Sequence, residues 1–425
     1  MKLAIIADDL TGANDTGVKL AERGLRTSVL LRMDGPLPGG RDVLVLDTNS
    51  RSLKRESAYE TVRQAAEWIK ERGIQDVYKK LDSTMRGNIG AELDAVYDAF
   101  HPDFIFIAPA FPSNGRKVID GYLYVNGKLL HESEMAIDPK TPVVESYVPD
   151  LLARQTTRRV ALLESGVLEA GPDSLSARLE RLAREGTPYI VCDSTSEAHL
   201  ARLAEAARDS RFRILWAGSA GLARYLPGLA EGETPAEPDT PAFRASSGPV
   251  LLVVGSVNPN TREQLKQVLE SSEVCGIEMR AERASGSDEV RRAEIDRVCL
   301  AAENARLNGK SLALYSSLSA HAASAGAEKV PDSDAIASAI GEAAALIVRR
   351  TGIDSLVLTG GDTAKQVCVH LEIADLELLR EAESGIPIGI LNGKKRYRAI
   401  TKAGSFGSGG TLLRLIRMMR GEEPL

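Results

Sequence analysis

The sequence predicts an α/β protein of two domains built on mainly parallel sheets. Three observations lead there. Short β-branched runs alternate with amphipathic stretches through the first half, a proline-rich acidic segment interrupts the pattern, and the same alternation restarts beyond it. At 425 residues the chain also exceeds what one hydrophobic core ordinarily serves.

In chain order, LAIIA (3–7), TSVLL (27–31), DVLVLD (42–47), VYKKL (77–81) and FIFIA (104–108) predict strands separated by helices. The stretch Arg55–Arg72 keeps an apolar stripe through Ala58, Val62, Ala65, Ala66 and Ile69, which is helical spacing. Asn126-Gly127, between YLYV and KLL, predicts a tight hairpin. RVALLE (159–164), PYIVC (188–192) and RILWA (213–217) continue this sheet or a neighbouring one. A first domain is therefore expected over 1–226. The segment 227–249 holds five prolines and no hydrophobic period, so it is expected to be the linker. The second domain, 250–425, opens with PVLLVVGS and a helix near Arg262–Leu269. SLALYSS, a long helix around Ala335–Arg350, SLVLTGGDTA, IPIGIL and a last helix from Thr411 follow.

Composition removes several function classes. A net charge of −6 and 4% aromatic residues supply neither the basic field nor the stacking rings of a nucleic-acid binder. No apolar run approaches the roughly 18 to 20 residues of a membrane span, and the start reaches Asp8 and Asp9 at once, so neither a signal peptide nor an anchor is expected. Cys192, Cys275, Cys299 and Cys368 form no ligand spacing and are expected to be reduced core residues of a cytoplasmic protein. The five histidines make no HExxH pair, and there is no GxSxG elbow.

In open parallel sheets ligands bind beyond the carboxyl ends of strands, so polar residues just after an apolar run are the candidates. The densest such junction is Asp8-Asp9-Leu10-Thr11-Gly12-Ala13-Asn14-Asp15, after LAIIA. Helix capping by Asp15 or Thr11 and a turn at Asp8-Asp9 would employ one acid well, but not three. A carboxylate there can take the proton of an attacking hydroxyl, as a base does in phosphoryl transfer. Further junctions are Asp47–Arg51 and Lys79–Asn88. There Arg51, Lys80 and Arg86 suit a carboxylate, while Asp82 or Ser83 would equally serve as helix caps. Pro109–Arg116 offers Arg116 to the same place, or else only a proline-stiffened loop. In the second half, glycine gathers at Gly255-Ser256, at Gly360-Gly361-Asp362-Thr363 and along Lys402–Thr411, as backbone approach to phosphate requires. Neither a P-loop nor a dinucleotide fingerprint is present, and the basic run Lys394-Lys395-Arg396 reads as a solvated face.

Seven motifs, in order from about residue 3 to 412, resemble the four-carbon acid sugar kinases: IADDLTGANDTGVKLA, DTNSR, KKLDSTMRGNIGAEL, PAFPSNGRKVIDGYLYVNG, VVGSVNPNTREQ, LTGGDTA and TKAGSFG. The resemblance implies an N-terminal domain for the sugar acid, a C-terminal domain for ATP, an active site in the cleft between them, and phosphorylation of the terminal hydroxyl. It places Asp9, Arg51, Lys80, Leu81, Asp82 and Ser83 against the substrate. It places Ser256, Gly360, Gly361, Asp362, Thr363, Gly404, Ser405, Phe406 and Gly407 against the nucleotide. Asp9 is the first choice as base and Asp82 the reserve. Magnesium is expected to arrive with ATP, since no fixed metal-ligand motif is visible. The segment Ala13–Val18 looks closer to the threonate and erythronate branch than to the oxo-tetronate branch. D-threonate is thus expected first, D-erythronate second and the 3-oxo acid as the alternative. A ribokinase-type sugar kinase and a non-catalytic metabolite sensor are the competing readings. No nucleic-acid or membrane partner is expected, and a homodimer is left open.

Overall fold

The protein is described by a computed structural model covering residues 2–33, 37–138, 141–208, 210–226, 245–307, 309–317 and 332–424. The expected linker lies outside these residues except for 245–249. The chain divides into two compact units, Met1–Thr27 with Gly39–Pro238, and Ser28–Pro38 with Asp239–Leu425. The strand near residue 28, expected among those of the first domain, thus groups mostly with the second unit.

The first unit carries β1 (Leu3–Ala7), β3 (Val43–Asp47), β4 (Val77–Lys80), β5 (Phe104–Ala108), β9 (Val160–Leu163), β10 (Tyr189–Cys192) and β11 (Ile214–Gly218), with β2 (Thr27–Leu30) at the crossing to the second unit. Its sheet runs β3-β1-β4-β11-β5-β10-β9, every pair parallel. Strands covered on both faces by helices have no solvent side, which is why LAIIA and FIFIA are apolar without alternation and buried throughout. The helix Arg55–Glu71 buries Ala58, Val62, Ala65, Ala66 and Ile69, the stripe seen in the sequence. A small antiparallel sheet of β6 (Arg116–Ile119), β7 (Tyr122–Val125) and β8 (Lys128–Leu129) turns at Asn126 and Gly127, whose φ values of 51° and 83° are the pair that this hairpin turn requires.

The second unit holds β12 (Leu251–Val254), β13 (Val274–Met279), β14 (Ser311–Ser316), β15 (Ser355–Thr359), β16 (Asp375–Glu383), β17 (Ile386–Asn392) and β18 (Arg396–Lys402). The order is β13-β14-β12-β15-β18-β17-β16-β2. It is parallel from β13 to β18, whereas β17 runs antiparallel to both β18 and β16. Val250, Leu252 and Val254 pack with Ile386, Ile388, Leu412 and Leu415 into one core. Cys192, Cys299 and Cys368 are buried as expected, but Cys275, on the edge strand β13, is only partly so.

Candidate active site

Adjacency of β3, β1 and β4 sets the carboxyl ends of three strands side by side, and the first three junctions of the sequence therefore meet. Asp8 and Asp9 follow β1, Arg51 lies four residues beyond β3, and Lys80 to Arg86 follow or end β4. Asp9 caps the helix Leu10–Ala21, its Oδ1 accepting the Gly12 N–H at 2.7 Å. The cap expected at Asp15 or Thr11 is thus Asp9 itself, because it is the last extended residue before the helix. A side chain at Gly12 would come within 2.7 Å of Asp9 Oδ1 and 2.8 Å of Lys80 Nζ, so glycine leaves these two groups room to approach.

Arg51 ties the cluster together. Its Nε donates to Asp8 Oδ2 at 2.7 Å, its Nη1 pairs with Asp9 Oδ2 at 2.7 Å, and its Nη2 reaches Asp82 Oδ1 at 3.9 Å. The third acid at this arginine is Asp82, two residues beyond β4, whereas Asp15, the third acid of the densest junction, lies within the helix Leu10–Ala21. Arg86 grips Asp82 with Nε at 2.8 Å and Nη2 at 3.1 Å, and its Nη1 donates to Asp138 at 3.2 Å. Neither Asp82 nor Ser83 caps the following helix, which begins at Ile89 behind Asn88. Lys80 is buried, with Nζ donating to the Leu81 carbonyl at 2.7 Å. Of the three cations expected to suit a ligand carboxylate, Arg51 and Arg86 are paired with the protein's own acids.

These pairings move the carboxyls in opposite directions. Burial raises Asp9 above the ordinary carboxylate range, Arg51 only partly opposing it and Asp8 adding to the rise. Burial would also raise Asp8, but Arg51, with Lys79 and Lys80, outweighs it and holds Asp8 low. Asp82 is held far below its usual range, its burial overcome by Arg51 and Arg86. Asp8 Oδ1, at the strand end, is buried with no hydrogen-bond partner among the described residues. Arg116 stands at the start of β6, where burial lowers its pKa and Asp82 counters, so it lies within electrostatic range of the cluster. Arg51 also lines a cavity of about 320 Å³ with Met85, Asn88, Val143, Arg154 and Gln155.

Beneath lies a network the sequence reading missed. Lys79 Nζ pairs with Glu92 at 2.7 Å, Glu92 accepts from Ser50 Oγ at 2.7 Å, and Ser50 meets Thr48 Oγ1 at 2.8 Å. A lysine inside the buried strand VYKK and a glutamate on the apolar face of IGAEL were the available signals, since such charges stay buried only when paired.

In the second unit β12, β15 and β18 are likewise adjacent and parallel, which brings Ser256, Gly360 and the loop after Lys402 together. Gly360 has φ 97°, its N–H donates to the Lys402 carbonyl at 3.0 Å, and a side chain on it would lie 3.2 Å from Ser256 N. A side chain on Gly404 would overlap Ser256 Oγ. Gly361, Asp362 and Thr363 form the first turn of the helix Gly361–His370, which has no side-chain cap. Ser405 and Gly407 are exposed, whereas Phe406 packs against the hydrophobic core. Lys394, Lys395 and Arg396 are exposed, and Lys394 and Arg396 pair with Glu372 and Glu377. Among the described residues no group of three or more His, Cys, Asp or Glu could hold a metal ion, and no helix is long and apolar enough to cross a membrane.

Residues 3–226 match the family model of a sugar-binding N-terminal domain, and residues 251–412 that of a nucleotide-binding C-terminal domain. The D-threonate kinase of Salmonella typhimurium is 33% identical over 426 residues, covering 97% of this chain and 97% of that protein. The 3-oxo-tetronate kinase of Escherichia coli is 39% identical over 228 residues, 52% of this chain and 58% of that protein. A Salmonella typhimurium protein of solved structure superimposes with a TM-score of 0.80 at 28% identity, over 98% of this chain and 99% of that one. The chain belongs to the four-carbon acid sugar kinase family.

Proposed function

We propose that this protein transfers the γ-phosphoryl group of ATP to the 4-hydroxyl of a four-carbon sugar acid, D-threonate before D-erythronate. The observation that carries the reading is Asp9, fixed by the Gly12 N–H and by Arg51, with its carboxyl raised by burial. A base whose pKa lies closer to the working pH takes a hydroxyl proton more effectively. Asp82, held low by two arginines, is the poorer base and instead anchors Arg86. In the reaction the substrate oxygen bonds to the γ-phosphorus, the bond to the β,γ-bridging oxygen breaks, ADP leaves with its electron pair, and Asp9 accepts the proton. Lys80 and the turn through Leu81, Asp82 and Ser83 receive the acid. Ser256, the Gly360–Thr363 turn and the Gly404–Gly407 loop receive the phosphates, and magnesium enters as part of the MgATP substrate.

ADP release from MgATP by the purified protein tests this. Release should require a tetronic acid and should vanish in excess chelator. Release at the same rate without the acid, or undiminished with chelator present, would defeat the proposal, and tight acid binding without turnover would favour a sensor. The 39% identity to the Escherichia coli enzyme favours, as a second reading, the 3-oxo acid in place of the hydroxy acid.

A further inference from the structure

Side chains of the motif VNPNTREQ converge on the loop after β18. The helix Pro259–Glu270 begins there, capped by Asn258. The two hydrogens of Asn260 Nδ2 are shared among three carbonyls, Ser405 at 3.0 Å, Phe406 at 3.3 Å and Gly407 at 2.9 Å. Thr261 Oγ1 donates to Gly404 O at 2.7 Å, and Gln264 Nε2 to Phe406 O at 3.0 Å. Lys402 Nζ donates to Ala403 O at 2.9 Å and Phe406 O at 3.1 Å. All five successive carbonyls from Ala403 to Gly407 are thus held by side chains.

The N–H groups show the reverse. Those of Gly404, Ser405 and Gly407 make no hydrogen bond among the described residues. Each belongs to a peptide unit whose carbonyl is one of those held, on Ala403, Gly404 and Phe406 respectively. In a trans peptide the C=O and N–H point in opposite directions, so fixing the carbonyls aims these three N–H groups away from the helix. Phe406 N–H is spent within the loop on the Ala403 carbonyl at 3.2 Å, so the presented groups are the consecutive pair Gly404 and Ser405 together with Gly407, and clustered N–H groups of this kind form an anion-binding concavity.

We propose that Asn260, Thr261, Gln264 and Lys402 are positioning residues that hold the 403–407 loop with its carbonyls turned onto the helix and its N–H groups presented to the nucleotide's phosphates. The inference rests on the nucleotide reading of this unit. Gln264 and Thr261 are fully buried and Lys402 is 3% exposed, so packing holds these three donors in place, while Asn260 is half-buried. Burial pulls the Lys402 ammonium down to about 8, which leaves it mostly charged at neutral pH and adds a cation beneath the loop.

The test is Asn260→Asp, an isosteric change that sets a carboxylate against three carbonyls, with Asn260→Ala as the variant that removes the donors without adding charge, together with the acceptor of Gln264 Nε2. Affinities for MgATP, ADP and D-threonate are measured by calorimetry, and adenosine by ligand-observed NMR. Loss of a net hydrogen bond or two corresponds to about a tenfold weakening. ATP and ADP should weaken by that much in both variants, with adenosine and D-threonate unchanged. Unaltered ATP affinity in either folded variant would overturn the proposal, as would equal weakening of adenosine, which carries no phosphate. A wild-type protein that binds no ATP would instead remove the nucleotide reading itself and this inference with it.

Discussion

Asp9 caps a helix, and in the reaction proposed above the same carboxyl is the base. Asn caps about as well as Asp, so Asp9→Asn separates the two. The variant should lose at least about a hundredfold in kcat, the usual scale for a missing base, with little change in KM for ATP. Its stability should move the other way. A carboxyl raised in the native state contributes stability that is present below the unfolded value of about 3.9 and is lost as pH rises through the native value. At pH 7 the neutral Asn avoids that loss, so its Tm should equal or exceed that of wild type, and a lower Tm would show that the ion pair with Arg51 outweighs desolvation. Asp82 carries the opposite sign. Its lowered pKa gives stability present above about 3.9 and lost as pH falls. Asp82→Asn should therefore lower Tm at pH 7, and the gap to wild type should begin to narrow in melts below about pH 4 and go on narrowing as pH falls toward the native value. A gap independent of pH would mean that the carboxylate's charge is not what stabilises. The acids and arginines of this cluster were legible in the sequence as types, but their pairing was not. Arg51 lies 42 positions from Asp9, and only strand adjacency reveals that it meets the acids before any ligand does.

At the scale of elements, apolar runs buried on both faces and the single helical stripe of Arg55–Glu71 were readable because one face or one strand carried the whole signal. The elements that escaped have mixed faces. β16 (DLELLREAE) and β18 (RYRAITK) interleave charges with apolar residues. The helix Asp288–Arg306 buries Glu294 beside Ile295, Val298 and Cys299, and Arg297 and Arg283 compensate that acid from outside the stripe. The glycine-rich junctions were readable for a different reason, since only glycine tolerates φ 97° at position 360 or the close approach of residue 404 to Ser256. From this follows a test of the second unit by itself. Gly361→Val thickens the first turn of an uncapped helix, and Gly404→Val drives the loop off Ser256 and Asn258. Both should weaken ATP binding measured by calorimetry and leave sugar-acid binding almost unchanged. If a folded Gly361 variant lost sugar-acid affinity, the assignment of the two ligands to two units would be wrong.

At the scale of the molecule, each unit uses the same device, three adjacent parallel strand ends that pool residues from distant parts of the chain: β3-β1-β4 in one, β12-β15-β18 in the other. Motif order identified the family but not this adjacency, and it does not by itself choose the substrate. The segment Ala13–Val18, which resembles the threonate branch, has Asn14 and Thr16 buried within the helix Leu10–Ala21. A direct physical argument comes from Asp8, whose Oδ1 is an acceptor with no partner among the described residues. If substrate binding brings the third carbon of the acid to this buried oxygen, a hydroxy acid offers a C3 hydroxyl that can donate to it, whereas a 3-oxo acid offers a carbonyl, which cannot. A buried acceptor left unpaired costs about 1–3 kcal/mol, or roughly ten- to a hundredfold in selectivity. The expected kcat/KM order is D-threonate, then D-erythronate, then the 3-oxo acid at least about tenfold below the first. Asp8→Asn, which exchanges an acceptor for an amide able to donate, should narrow the gap between hydroxy and oxo acids even as it lowers overall activity through Arg51. Steady-state kinetics on the three acids, with wild type and variant side by side, decide the matter. A wild-type preference for the oxo acid, or a gap that Asp8→Asn leaves untouched, would show that the open acceptor does not select the substrate.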